Sequence, residues 1–458
     1  MLLETFIELC SRWRPVFAQE RTFELAMRQA LGTLCAMGRR TITRIIWFSG
    51  REQQQWSSDY RLFSRSPWST NELFQPVVAV TIPHTHPEYI GVGLDDTGLH
   101  KTGRKIESAT FYRDPLSPPF HVNLMYGLRF LQASALLPLY RRGEYPARGI
   151  PIRFTEVPAV KKPGKRASVE EWLNYRELIK KKNLSTCFVE EMHSLRQAYD
   201  EAGAHNKTLI SVGDGSYCNR TTFSADVART ELLVRCRKDA TLCRPAPENS
   251  RRFYGKNKFT PEQVRHDESI SWQTVRIFHG GCWRTVSYKE VKPILWQRSA
   301  RRKILRLIVV APVPYRTTKK GKLYYRQPSY LLTTDLSASA ALLIQMYFDR
   351  WEIEVNHREE KDTLGVGQAQ VRSKKSVPRQ PAFAVAAYSM LLLACLNVFG
   401  PGRTDNYIPL PKWRKNARRA SCLDLVTLLR KELVEHPDKA AWLGIATNAK
   451  TMVTTGAA

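Results

Sequence analysis

The chain has 458 residues, 43% of them hydrophobic, with 71 Lys and Arg against 42 Asp and Glu, a formal net charge of +29. That length and apolar content exclude a small or disordered chain and fit roughly two to four cored domains. The charge favours a polyanionic partner, nucleic acid first and an anionic membrane surface second. The nine cysteines are scattered without a CxxC pair, which speaks against a disulfide scaffold and predicts reduced thiols in a cytoplasmic compartment.

The opening "MLLETFIELCSRWRPVF" carries Glu4 and Glu8 and no long apolar run, so no secretory signal is expected. Residues 1–85 read as a helical domain. Within "RTFELAMRQALGTLCAMGRRTITRIIWFSG" apolar residues recur at helical spacing, and Gly38-Arg39-Arg40 followed by Thr41 reads as a turn into a second helix. This suits either a helix-turn-helix-like DNA contact or a small helical domain with solvated arginines.

From Tyr89 strands are predicted. "YIGVGLDDTG" ends on Asp95 and Asp96, "HVNLMYGLRFLQ" follows, and "TLISVGDGSY" ends on Asp214, with "ELLVRCRKDATL" as a buried strand beyond it. Between them "KKPGKRAS" is a basic linker opening a long helix from Val169 to about Glu201, N-capped by Ser168. Residues 86–241 thus form the first part of an α/β core. Residues 242–330 are rich in Arg, Lys, Trp and Tyr and read as β-rich, with "FHGGCWRTV" as a tight hairpin and "KILRLIVVAP" and "PSYLLTTD" as strands. Helical habit returns over 331–400. The apolar stretch "AFAVAAYSMLLLACLNVFG" contains Tyr388, Ser389 and Asn397, which favours a buried helix over a membrane span. Residues 401–458 read as a basic tail.

The segment "QMYFDRWEIEVNHREEKD" concentrates chemistry. At about 100° per residue, with Tyr347 at zero, Arg350 falls near 300°, Glu354 near 340° and Lys361 near 320°, so all four share one stripe. One carboxylate among two cations and a phenol suits a metal-bound Glu354 beside phosphate-gripping groups. Hard divalent cations need more than one oxygen ligand. The strand-end carboxylates Asp95 or Asp96 and Asp214 are the other candidates, since α/β sheets build sites where strands end. Converging with Glu354, they could hold two metal ions for phosphoryl transfer.

The spacing Tyr-x2-Arg-x3-Glu-x6-Lys, "LDDTG", "VGDGSY" and "LGVGQAQVRS" together resemble DDE transposases of the IS-four superfamily, and "LDDTGLHKTGRKI" is closest to its IS-seven-hundred-one branch. The resemblance runs from about Tyr89 to Phe399 and is weakest across the Trp-rich middle. It implies an RNase H-like catalytic core interrupted by a β-rich insertion, with two Mg2+ (or Mn2+) ions on Asp95, Asp214 and Glu354. Asp95 is preferred to Asp96 because Thr97 stands two positions on, as in the family pattern. Tyr347, Arg350 and Lys361 would grip DNA phosphates. One of Trp272, Trp283 and Trp296, with Trp296 carried forward, would stack on a flipped base.

Lys101 and Arg104 follow the first aspartates and could meet DNA or form an exposed basic loop. The implied protein is a cut-and-paste transposase, a homodimer on double-stranded DNA, without a membrane and associated with a bacterial nucleoid. A nuclease-only or inactive DNA-binding relative is the alternative. His100, His279 and His357 lack zinc-like spacing. Positive charge spread through the chain argues against a membrane-surface role.

Overall fold

The computed structural model describes residues 1–445 except Pro115, Leu116, Pro119, Thr317, Lys319, Lys320, Lys415 and Asn416. The chain opens with helices α1 (Leu2–Ser11), α2 (Glu20–Cys35), α3 (Ile42–Phe48), α4 (Ser57–Ser64) and α5 (Thr70–Thr81). Strands β1 (Tyr89–His100), β2 (Thr110–Arg113), β3 (Leu124–Leu137) and β4 (Arg148–Glu156) follow. Then come α6 (Val169–Lys181), α7 (Leu184–Glu201), β5 (Thr208–Gly213), α8 (Arg220–Ser224) and β6 (Thr230–Arg235). The single long helix expected over 169–201 is therefore two. Asn183 ends the first by turning extended, and its side chain caps the second by accepting from Thr186 N.

Residues 242–330 hold β7 (Leu242–Pro245), β8 (Tyr254–Phe259), α9 (Pro261–His266), β9 (Gln273–His279), β10 (Cys282–Ile294), β11 (Leu305–Val310), β12 (Pro314–Arg316) and β13 (Leu323–Tyr325), with β14 (Ser329–Thr333) closing the stretch. The last part carries α10 (Ala340–Asp349), α11 (Trp351–Arg358), a π-helical turn at Glu359–Thr363, α12 (Ser376–Phe399), α13 (Cys422–Glu435) and α14 (Pro437–Trp442).

A ten-stranded mixed sheet organises the molecule, in the order β2-β3-β1-β5-β6-β14-β11-β10-β9, with β4 also paired to β3. β1, β5 and β6 are mutually parallel, while β3 runs antiparallel to β1 and β4 antiparallel to β3. That arrangement, with helices packed on it, is consistent with an RNase H-like core. Strands β9, β10 and β11 hydrogen-bond into this same sheet through β14, so much of the stretch read as an insertion extends the sheet. Among the described residues only the β7–β8 and β12–β13 pairs form sheets of their own.

One face of the sheet is packed by α10, with Ile210, Val212 and Leu233 against Leu343, Ile344 and Met346. The larger core unites the other face with the N-terminal helices and α12. α12 is the one described helix long and apolar enough to cross a membrane, with a mean hydropathy of 2.1, and 78% of its apolar window is buried inside the fold. Its Ser389 hydroxyl donates to Pro151 O, a polar tie to β4. Where a basic tail was expected, α13 packs its Leu425, Leu429 and Leu433 into the same core, and Leu2 N and Leu3 N donate to Glu432. Residues 446–458 of that expected tail lie outside the described residues.

Candidate active site

Alternation along β1 sends Gly91, Gly93 and Asp95 to the face covered by α10 and α11. Gly91 lies against Met346, and a methyl group on Gly93 would collide with Ile353, so α11 sits directly on the strand. At Gly149 of β4 an added Cβ would stand 2.6 Å from Asn356 Oδ1. These two gaps let the helix approach closely enough to deliver its side chains to the strand ends. On β5, Val212 is the register partner of Gly93, so Asp95 and Asp214 follow at equivalent positions, two residues further along neighbouring parallel strands.

Arg350 joins this pair to α11. Its Nη1 is 3.0 Å from Asp95 Oδ2 and its Nη2 is 3.4 Å from Glu354 Oε1. Burial raises the Asp95 pKa to about 7, with Arg350 opposing the rise and the charges of Asp214 and Asp96 adding to it. Burial likewise raises Glu354, against the pull of Arg350 and Arg326 and with a further push from Asp214. Asp214 thus acts on both Asp95 and Glu354 through its charge, while the Arg350 guanidinium bridges those two directly. Among the described residues no three His, Cys, Asp or Glu side chains are set closely enough to hold a metal ion. The physical reason is visible: a guanidinium already bridges Asp95 and Glu354, in the place of a cation. All three acids are hard oxygen donors whose negative charge exceeds that of the one guanidinium, which fits Mg2+ or Mn2+ in kind.

Asp96 points to the opposite face, where its Oδ2 accepts from Arg129 Nε at 2.6 Å. Asp214 also caps the short turn after β5, accepting from Ser216 N at 2.8 Å. Tyr217 in that turn is fully buried, stacks on Phe188 with ring centroids 4.2 Å apart, and has a hydroxyl without a hydrogen-bond partner among the described residues. Burial and the charges of Asp96, Asp95 and Asp214 raise its pKa.

The stripe expected from an unbroken helix is modified. α10 and α11 abut at Arg350, and the π turn at Glu359–Thr363 adds a residue per turn just where Lys361 lies. Lys361 is half-buried, and burial lowers its pKa against the charges of Glu360, Asp362, Asp96 and Asp114. His357 stands between the two cations, with its pKa drawn down to about 3 by burial, Lys361 and Arg350, so it is neutral. Tyr347 is partly buried, edge-on to Phe348 at 6.1 Å.

Other expected contacts fall elsewhere. Lys101 is buried, and its Nζ donates to Gly367 O and Ala369 O, both at 2.8 Å, as an internal brace. Arg104 is exposed in a turn. Arg40 of the expected helix-turn-helix is also buried, donating to Thr33 O while its backbone N donates to Gln368 Oε1. Trp296 packs edge-on to Phe223 at 5.5 Å against the core. Trp283 meets Tyr140 and Phe278, and Trp272 lies under Lys289 Nζ at 4.8 Å.

Two residues near the carboxylates escaped the sequence reading. Trp351 is 53% exposed beside Arg350, and the helical wheel puts it near 40°, just beyond the Tyr347 edge of the stripe. Arg326, after the β12–β13 hairpin, comes within electrostatic reach of Glu354. No spacing in the sequence signals that approach, because only the fold brings it there.

A family model described as DDE superfamily endonuclease matches residues 15–303. The matched stretch includes Asp95 and Asp214 and ends before Glu354. Among curated proteins no match is found.

Proposed function

The chain belongs to the DDE superfamily endonucleases, which act on DNA, and from that premise we propose that it is a DNA transposase cleaving and joining the ends of a mobile element. The observation that carries this reading is that Arg350 joins Asp95 to Glu354 while Asp214 follows at the equivalent position of β5, just past the end of the parallel β1–β5 pairing. Asp95, Asp214 and Glu354 would hold two Mg2+ or Mn2+ ions, which when bound stabilise the attacking and leaving oxygens of an in-line displacement. Arg350, released from Asp95, turns its planar fork to a DNA phosphate, and Lys361 and Arg326 supply further positive charge beside it. Tyr347 would add a phenol to the same grip. The exposed Trp351 is better placed than Trp296 to stack on an unpaired base.

The Tyr-Arg-Glu-Lys spacing supports the IS-four superfamily and its IS-seven-hundred-one branch. The N-terminal helices would contribute DNA contacts through exposed Arg39 and Thr43, which line a cleft of about 740 Å³ shared with Arg372. Pairing of two ends implies a homodimer on DNA, in the cytoplasm of a bacterium.

The test is a strand-transfer assay with a pre-cleaved end, taken from DNA flanking the coding region, in Mg2+. Joined product supports a transposase. Hydrolytic nicking without joining would make the chain a nuclease, and metal-dependent cleavage of neither kind would leave an inert DNA-binding relative.

A further inference from the structure

A second concentration of positive charge lies away from the carboxylates. The β7–β8 hairpin carries Arg251, Arg252 and Lys256, and the turn between β10 and β11 carries Arg298, Arg301 and Arg302, all exposed. The fold staples these two segments together. Cys243 and Leu295 exchange backbone hydrogen bonds at 3.0 and 2.8 Å, Tyr254 OH donates to Arg301 O at 2.9 Å, and the Arg302 guanidinium lies 5.3 Å from the Phe253 ring centre. Arg301 adopts a left-handed φ of +52°, a conformation costly for a side chain other than glycine. Among the described residues none of the six cations has an ion-pair partner. Solvated arginines on a surface are ordinary. Six from two distant segments, fixed around two aromatic rings with Glu248 as the one acid of the hairpin, make a surface shaped for a polyanion.

Register fixes its place. Arg306 at the start of β11 is level, through Thr333 and Leu233, with Val212 of β5. The basic turn therefore lies to the strand-start side of Asp214 and three strands across. At about 4.8 Å per strand and 3.3 Å per residue the separation is on the order of 20 Å, or roughly six base pairs of duplex.

We propose that this surface is a second DNA-backbone site, holding the phosphates of the same duplex roughly six or more base pairs from the reacting phosphodiester. It reads no sequence, and it adds affinity and sets the direction in which the duplex leaves the carboxylates.

The test compares the protein with its R251Q/R252Q/R298Q/R301Q/R302Q variant on two duplexes. One extends well beyond the cleaved bond and the other stops short of the patch. A variant neutralising Lys161, Lys162, Lys165 and Arg166 of the exposed linker controls for general charge. On the long duplex the patch variant should lose about 0.9 in the slope of log K against log salt per phosphate contact removed, or roughly three to five in all. On the short duplex its salt slope and nicking rate should match the parent. An unchanged slope on the long duplex, or a loss no larger than the linker control shows, would overturn the site. So would loss of binding to phosphatidylserine vesicles with DNA binding intact. Because nicking of the short duplex is read separately, failure of this site is distinguishable from failure of the transposase reading.

Discussion

The two sides of α11 and the turn after it are built differently. Towards Asp95 and Asp214, Arg350 and Glu354 are only partly satisfied: among the described residues Arg350 Nε and His357 Nε2 are buried without partners, and the acids outnumber the one guanidinium between them. On the reverse side almost every polar group is matched. Glu352 pairs with Arg419 at 2.9 Å, and Asn356 bonds Ser134, Gly149 O and Tyr388. Glu359 accepts from Tyr388 OH and Cys422 N, with Arg148 3.7 Å away. One side fixes the helix against β4, α12 and the C-terminal segment, so that the other can carry unbalanced charge without moving.

Substitutions should separate these two sides. The largest effect is expected at the front. Asp214→Asn should reduce metal-dependent cleavage about a thousandfold, several kcal/mol of transition-state stabilisation, while gel-shift affinity for DNA is kept. Retained nicking would remove Asp214 from the reaction.

On the back, Arg148→Met leaves Glu359 buried without its cation and should cost about 3–5 kcal/mol of stability, read as a lower denaturant midpoint. Adding Glu359→Gln should recover much of that loss. If the single variant is as stable as the parent, the back network is not what holds the helix.

Acidity distinguishes the sides next. Asp95, raised to about 7, and Asp349 and Glu360, each raised to about 8, keep protons in the folded chain that the unfolded chain releases near 4. Metal-free protein should therefore lose stability as pH rises from about 4 to 8. Mg2+ at neutral pH should offset the share due to Asp95 and leave that of Asp349 and Glu360, which thermal melts across pH with and without metal would show.

The smallest effect belongs to single cations. Arg350→Gln and Lys361→Gln should each flatten the salt dependence of end binding by about one counterion and slow later steps more than the first nick. Variants that bind and process ends as the parent does would assign both cations to local charge balance.

Much of the front was legible in the sequence. The short apolar runs leading to Asp95 and Asp214 are strands because alternation and β-branching leave little else, though β1 runs on past Asp95 to His100 where an end was expected, and the wheel already put Glu354 beside Arg350. The back was not legible. Asn356 and Glu359 look like ordinary surface residues until β4 and α12 are folded against them. Cations misled for a similar reason: nothing in the spacing of Lys101 says that backbone carbonyls more than two hundred and fifty positions away will surround it, nor in that of Arg40 that its side chain will fold back onto Thr33 O. The continuity of the sheet through β14 was hidden too, because a strand's partner is set by register and not by its own composition.

The close seating of α11 over Gly93 and Gly149 has a mechanical consequence. The clearance between helix and sheet is defined by two missing methyl groups, so an alanine at either position would act as a shim wedged behind the carboxylates. The chemistry of the site is therefore exposed to mutation at residues that possess no functional group. A saturation scan scored on cleavage should find these two glycines as intolerant as the acids they help to align.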